Sequence, residues 1–185
     1  MKIPSLLSRR LTLRPLMLAD APAIQKHFAN WNVIKNIGRD VPWPYPADGA
    51  ETFLRENALP RMSKGDAYLW AICFRETPDA LIGVIEFRIV TDRDDHRGFW
   101  LAEPYWRRGL MSEAVDAVNR FVFEDLGVDS FVEENAADNT ASRRLKEKSG
   151  GEFLRYRACT YPSGECRSEV WKLSREGWLA KRRSQ

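Results

Sequence analysis

No apolar run in this chain approaches the ~20 residues that a membrane-crossing helix needs. The N-terminus has no apolar core followed by a small-residue cleavage site, so Lys2, Arg9 and Arg10 are not expected to belong to a secretory signal. Cysteine is scarce: Cys73, Cys159 and Cys166 are an odd number at spacings unlike any metal-ligand pattern. They complete no disulfide framework, and the expectations are a reducing, cytoplasmic setting, no metal, and cysteines that fill gaps. A dominant charge is also missing, because 29 basic and 26 acidic residues leave only +3. General nucleic-acid binding is therefore not expected, although a local basic patch keeps a binding role open. There is no Gly-x-x-x-x-Gly-Lys-Ser/Thr loop and no Gly-x-Gly-x-x-Gly turn, which excludes the two commonest nucleotide fingerprints. Nor is there an internal repeat, a low-complexity stretch or an interdomain linker.

What is present suits one domain. The 185 residues are 44% hydrophobic and include 7 Trp and 9 Phe, enough for a substantial core. A single domain over 1–185 is expected, with its core at about 8–175 and Lys181-Arg182-Arg183 in a solvated tail. Leu11 to Arg14 alternates as a half-buried strand does, and Pro15 ends it. Asp20 offers a helix N-cap ahead of Pro22, Ile24, His27 and Phe28. Val41 to Pro46, with three prolines and two aromatic rings, must be a stiff loop. Asp48 and Glu51 predict a capping box for a helix that closes before Pro60. Ala67 to Arg75 and Ala80 to Val90 read as an antiparallel hairpin, Thr91 to Asp95 as a polar loop, and His96 to Ala102 as the next strand. Helical spacing runs from Gly109 to Leu126-Gly127, followed by a short strand, Ser130 to Val132, expected parallel to the one before it. Asn139 to Gly150 predicts another helix, and Phe153 to Tyr161 with Cys166 to Leu173 a second hairpin. This order is an α+β sheet with one parallel crossover.

Trp106-Arg107-Arg108-Gly109-Leu110-Met111-Ser112 joins a strand to a helix through a short basic turn. Free helix-start amides, the positive end of the helix dipole and two guanidinium groups then meet at one place, which suits a phosphate. Taken alone the signal is weak, since a helix start beside two exposed arginines has the same sequence.

Several stretches together carry more. Trp100-Leu101-Ala102, Tyr105-Trp106-Arg107-Arg108-Gly109 and Glu113-Ala114, followed by Asn139, Ser142, Leu145, Glu147-Lys148 and Gly150, resemble the GNAT superfamily of N-acetyltransferases. Within it they resemble the RimJ/RimL-like group, which acetylates protein N-termini and assorted amines. The likeness spans most of the chain, from Leu11 to Trp171. It implies a mixed, mostly antiparallel central sheet with a splayed parallel strand pair and flanking helices. It also implies acetyl-CoA as cosubstrate: the backbone of Trp100, Leu101 and Ala102 would pair with the pantetheine arm, and the amides from Arg107 through Gly109, Leu110 and Met111 to Ser112 would hold the pyrophosphate. Met111 stands where the family has a small residue. Asn139 and Ser142 would contact the donor, although an Asn N-cap with Ser three residues on also satisfies a helix start without any ligand. Many members place a tyrosine acid where this chain has Lys146, so a hydroxyl from Ser142 or Tyr161 is the next candidate.

Acyl transfer to an amine needs a base for the ammonium proton and donors for the developing oxyanion. Leu101 N–H is a candidate donor. By the resemblance the base falls near His96, whose unperturbed pKa of ~6.5 suits the task, while an exposed structural histidine is the competing reading. Glu86 is the alternative base or amine anchor. Trp43, Tyr45 and Tyr161 are expected to line the acceptor side. The expected reaction is direct transfer of acetyl to a primary amine by a monomer or homodimer. A protein N-terminus, as in relatives that modify ribosomal proteins, is the first acceptor; a polyamine, amino sugar or antibiotic is the second. A non-catalytic acyl-CoA-binding module and an RNA-associated protein are the competing classes.

Overall fold

The computed structural model describes residues 3–37, 41–90 and 95–184. Two sheets form its centre, ordered β1-β2-β3-β4-β5 and β6-β8-β7. The first contains β1 (Leu6–Leu7), β2 (Leu11–Pro15), β3 (Ala67–Phe74), β4 (Thr77–Arg88) and β5 (Arg97–Leu101), all antiparallel. The second contains β6 (Ser130–Ala136), β7 (Glu152–Tyr161) and β8 (Gly164–Ser174), with β8 antiparallel to both neighbours.

β3 is buried at every position but its last, as a strand covered on both faces must be. One face carries Tyr68 and Trp70, whose rings meet Phe121 at 5.0 and 5.5 Å. Phe121 opens a π-helical turn, Phe121–Asp125, that extends α5 (Leu110–Arg120). The opposite face of the sheet is covered by α1 (Ala21–Phe28), α2 (Trp31–Ile34) and a helical rod made of α3 (Gly49–Thr52), a π-helical stretch (Phe53–Ala58) and α4 (Leu59–Lys64).

That rod departs from the expected stop before Pro60. Pro60 has no N–H to donate, but the hydrogen bonding has widened ahead of it, with Leu59 N–H reaching back to the Leu54 carbonyl, so the helix passes through the proline. The expected caps also differ. Neither Asp20 nor Asp48 caps its helix with its side chain. Asp20 instead accepts from Met17 N–H and pairs with Arg14 at 2.6 Å, tying the end of β2 to the turn that follows.

The C-terminal segment is likewise not a tail. α7 (Arg175–Arg183) is capped by Ser174, which accepts from Gly177 N–H, and buries Trp178 against Phe123 at 5.3 Å. Lys181, Arg182 and Arg183 are exposed, as expected, but on a helix. A crossing of two glycines permits the docking. A Cβ on Gly150, at the end of α6 (Thr140–Ser149), would lie 2.4 Å from the Gly177 carbonyl oxygen. β6 is longer than expected and carries two glutamates beyond Val132. The loop expected at Thr91 to Asp95 falls, at 91–94, outside the described residues, as does the side chain of Cys166.

Candidate active site

Two features place the turn before α5. Arg107 and Gly109 both have positive φ, 60° and 72°, so the chain doubles back sharply and α5 begins at Leu110. No side chain caps that start, and the first helical amides have no partner within the helix. Arg107, Arg108 and Gly109 are exposed, Leu110 is buried, and Met111 and Ser112 are half-buried. Arg108 lies 5.8 Å over the rings of both Phe74 and Tyr105. Trp106 bonds the Leu101 carbonyl through its indole N–H at 2.6 Å, fixing the turn to the end of β5. Glu113, one turn into α5, accepts from Arg10 and Ser8, with the Arg10 amide at 2.6 Å. Burial opposes ionisation of Glu113, but these donors outweigh it and lower its pKa.

The register of β5 on β4 decides which backbone groups are open. Arg88 N–H bonds the His96 carbonyl and Ala102 N–H bonds the Ile82 carbonyl. Even-numbered residues of β5 therefore face β4, and the N–H and C=O groups of Phe99 and Leu101 face the other way. On that side β5 meets β6 through His96 N–H to the Val132 carbonyl at 2.9 Å, and among the described residues no ladder continues beyond it. The two sheets open from that bond as a splayed pair does. Of the three residues expected to present backbone to pantetheine, Leu101 offers its N–H outward, while Trp100 and Ala102 face β4 and Ala102 N–H is already used.

A cavity of about 600 Å³ opens against this splay. Its walls come from α1, the Val41 to Pro46 loop, α3, β4, β5, β6, the start of α6 and β7. Tyr45 packs on Phe28 at 5.1 Å, and burial pushes its phenol up to about 12. Phe28 also meets Trp100 at 5.1 Å. Tyr161 reaches the cavity with its hydroxyl 2.9 Å from Ser168 Oγ, and Ser163 N–H bonds the Lys35 carbonyl, so the β7–β8 hairpin does fold over the site.

Among the described residues three of the four carboxylates in the cavity wall are matched by arginines, and the exposed Asp48 is the fourth. Glu86 pairs with Arg61 at 2.6 Å and Arg88 at 3.2 Å, Arg88 pairs with Asp95 at 3.0 Å, and Glu134 pairs with Arg157 at 2.5 Å. Glu134 has a raised pKa: burial is the main cause, Arg157 opposes it and Asp95 adds to it. Asn139 caps α6, its Oδ1 accepting from Ser142 N–H at 3.0 Å, and Ser142 Oγ accepts from Lys146 Nζ at 3.0 Å. Behind them Arg97 grips Glu133 with contacts of 2.6 to 2.9 Å, wholly buried.

Glu86, Trp100, Asn139, Ser142, Tyr45 and Tyr161 thus line one cavity. His96 does not. Its Nδ1 is bonded to the Arg88 carbonyl at 2.8 Å and its ring stacks on Phe87, so it closes the top of the splay rather than facing the acceptor. Trp43 also stands outside, packed on Trp31 at 5.1 Å. Glu134 was missed because the strand was expected to end at Val132. Burial alternates along β6, with Phe131, Glu133 and Asn135 buried and Val132 and Glu134 half-buried, a pattern that the residue types themselves do not carry. Cys73 is the inert filler expected, its thiol pushed up to about 11 by burial, whereas Cys159 lies in the cavity wall.

The model of the acetyltransferase (GNAT) domain matches residues 10–152. The chain belongs to the GNAT acetyltransferase family. The N-acetyltransferase YoaA of Bacillus subtilis strain 168 is 31% identical over 153 residues, 80% of this chain and 82% of that protein. The GNAT acetyltransferase of Bacillus anthracis shares the fold with a TM-score of 0.77 at 18% identity, covering 94% of this chain and 99% of that one. RimL, the ribosomal L7/L12 α-N-protein acetyltransferase solved with coenzyme A, has a TM-score of 0.77 at 18% identity, covering 92% and 98%. This GNAT enzyme is an N-acetyltransferase that uses acetyl-CoA, and no metal-holding group of His, Cys, Asp or Glu occurs among the described residues. Its residues fit that cosubstrate: uncapped amides and positive-φ residues at the start of α5 suit a pyrophosphate, and the outward backbone of Phe99 and Leu101 suits an extended amide-containing arm.

Proposed function

We propose that this enzyme acetylates the α-amino group of a polypeptide, with the acceptor entering between the Val41 to Pro46 loop and β7. The observation that carries this reading is the charge balance of the cavity. Among the described residues Glu86, Asp95 and Glu134 each already face an arginine and Asp48 is the one wall carboxylate left unmatched, so the surplus negative charge suits a single ammonium rather than a polyamine or a multiply charged amino sugar. A cavity of about 600 Å³ with walls of Phe28, Tyr45 and Trp100 suits one amine on a largely apolar, peptide-like body. The fold shared with RimL supports the same acceptor class.

In the proposed chemistry Glu134 removes the ammonium proton, directly or through a water. Its carboxylate lines the cavity and its raised pKa brings it closer to the proton affinity a base needs near neutrality. Leu101 N–H points to the splay, where the thioester carbonyl would develop negative charge. Ser142, which lines the cavity, protonates the departing thiolate. Phe99, Leu101 and the amides of Leu110, Met111 and Ser112 hold the donor, with Arg107 and Arg108 supplying positive charge at the turn.

Mass spectrometry of an acceptor panel with acetyl-CoA tests this. Peptides with a free α-amine should gain one acetyl group and α-blocked peptides containing lysine none. Acetylation confined to polyamines or amino sugars would reject the proposal.

A further inference from the structure

Lys146 is a buried cation that the chemistry above leaves without a task. It lies on α6, 1% exposed, one turn beyond Ser142, and its Nζ donates to Ser142 Oγ at 3.0 Å. Around it, β6 presents Glu133 at 3.7 Å and β5 presents the Phe99 ring at 5.9 Å. Arg97 of β5 takes both oxygens of Glu133 and also bonds Asn119 of α5; Asp95 and Glu169 lie farther out. Two cations thus share one buried carboxylate, in a cluster that meets the cavity at Ser142, Arg97 and Phe99.

We propose that Lys146 is a positioning residue and proton source for Ser142, forming a two-proton relay from Nζ through Oγ to the sulfur of departing coenzyme A. The geometry assigns the direction. A lysine ammonium has donors and no acceptor, so its bond to Ser142 occupies an oxygen lone pair and leaves the hydroxyl hydrogen to point elsewhere. Among the described residues no acceptor takes that hydrogen, and Ser142 is in the cavity wall. When the C–S bond breaks, sulfur takes the hydroxyl proton while Oγ takes one from Nζ. Ser142 ends unchanged, Lys146 ends neutral, and solvent returns its proton after product release. Desolvation is the main cause of a lowered Lys146 pKa, Arg97 adds to it, and Glu133 with Asp95 and Glu169 opposes it. Lowering shifts the ammonium toward the range of a thiol, the direction that favours the transfer.

The relay rests on Ser142 as the acid and does not depend on which amine is the acceptor. The test uses Lys146→Met, Ser142→Ala and the double variant, with any primary amine that the wild type acetylates. General acid assistance contributes roughly 10²- to 10⁴-fold. Lys146→Met should therefore lower kcat by at least about tenfold. Its acetyl-CoA Kd, read by calorimetry, should stay within about twofold, since uniform binding is untouched. The double variant should be no slower than Ser142→Ala, because two members of one relay are not additive. The wild-type fall in kcat at high pH, as the ammonium is lost, should disappear in Lys146→Met. Additive losses, a retained high-pH fall, or a Lys146→Met enzyme at wild-type kcat would overturn the relay.

A binding arm needs no acceptor. From pH 7 to 9 the affinity advantage of coenzyme A over desulfo-coenzyme A should rise in the wild type, because the donor chain favours the thiolate, and should stay flat in Lys146→Met. Matching profiles in the two proteins would reject the relay. Failure of every amine in the panel with the binding arm intact would instead remove the acceptor reading alone.

Discussion

The proposed donor half and acceptor half of this enzyme are built from different material. Around Trp106 to Ser112 and along β5 the site is main chain: uncapped helix amides, two positive-φ residues and the outward edge of Phe99 and Leu101. Across the splay it is side chain: Glu86, Glu134, Tyr45 and Tyr161 come from four elements far apart in sequence. A main-chain site depends on backbone conformation and tolerates variation in most side chains. A side-chain site changes its ligand whenever one of those residues changes. The donor can therefore be common to the family while the acceptor is set within each member.

Substitutions on the two sides should separate cleanly. The largest effect is expected at Gly109, where φ is 72° and where any side chain would intrude on the anion-facing turn. Gly109→Val should raise the acetyl-CoA KM by roughly 10- to 100-fold, combining about 1–3 kcal/mol of backbone strain with lost approach. Steady-state kinetics should show the acceptor KM little changed. On the other side, Tyr45→Ala removes a wall that packs on Phe28, and should raise the acceptor KM about tenfold with the acetyl-CoA KM within twofold, as for one aromatic contact of ~1.5 kcal/mol. A KM change on the opposite substrate in either variant would break the division.

Smaller effects sharpen it. Glu113 holds the N-terminal segment to α5, and its pKa is lowered in the folded state. A lowered carboxylate pKa contributes stability that is present above the unfolded-state value and is lost as pH falls through the folded-state value. Glu113→Gln should therefore cost about 1 kcal/mol at pH 7, and the gap to wild type in thermal unfolding should narrow on acidification. Smallest of all, His96→Asn should leave kcat within about threefold, since His96 faces the Arg88 carbonyl and not the cavity; a greater loss with the fold intact would restore it as a base.

The same division explains what could be read from the residues alone. The strand ahead of Trp106, the turn and the start of α6 appear in the sequence as local patterns of glycine, aromatics and cap residues, and each folds as read. Glu134 has no local signature; it matters because β6 continues past Val132 and turns it toward a cavity that distant helices complete. His96 had the right chemistry for a base and the wrong direction, a difference of strand orientation that spacing does not carry. α7 was hidden by its basic residues, although Ser174, Gly177 and Trp178 together mark a capped helix that docks. Pro60 misled because a widened turn upstream absorbs its missing donor.

The central claim is that the side-chain-built half performs the proton chemistry, and Glu134→Gln tests it most directly. The wild-type kcat/KM for the acceptor should fall as pH drops through the raised Glu134 pKa, because the protonated carboxyl is no base. In Glu134→Gln, kcat should be lower by about 10²-fold with acetyl-CoA binding retained, and that acid limb should vanish. A variant that keeps both the rate and the limb would contradict the account.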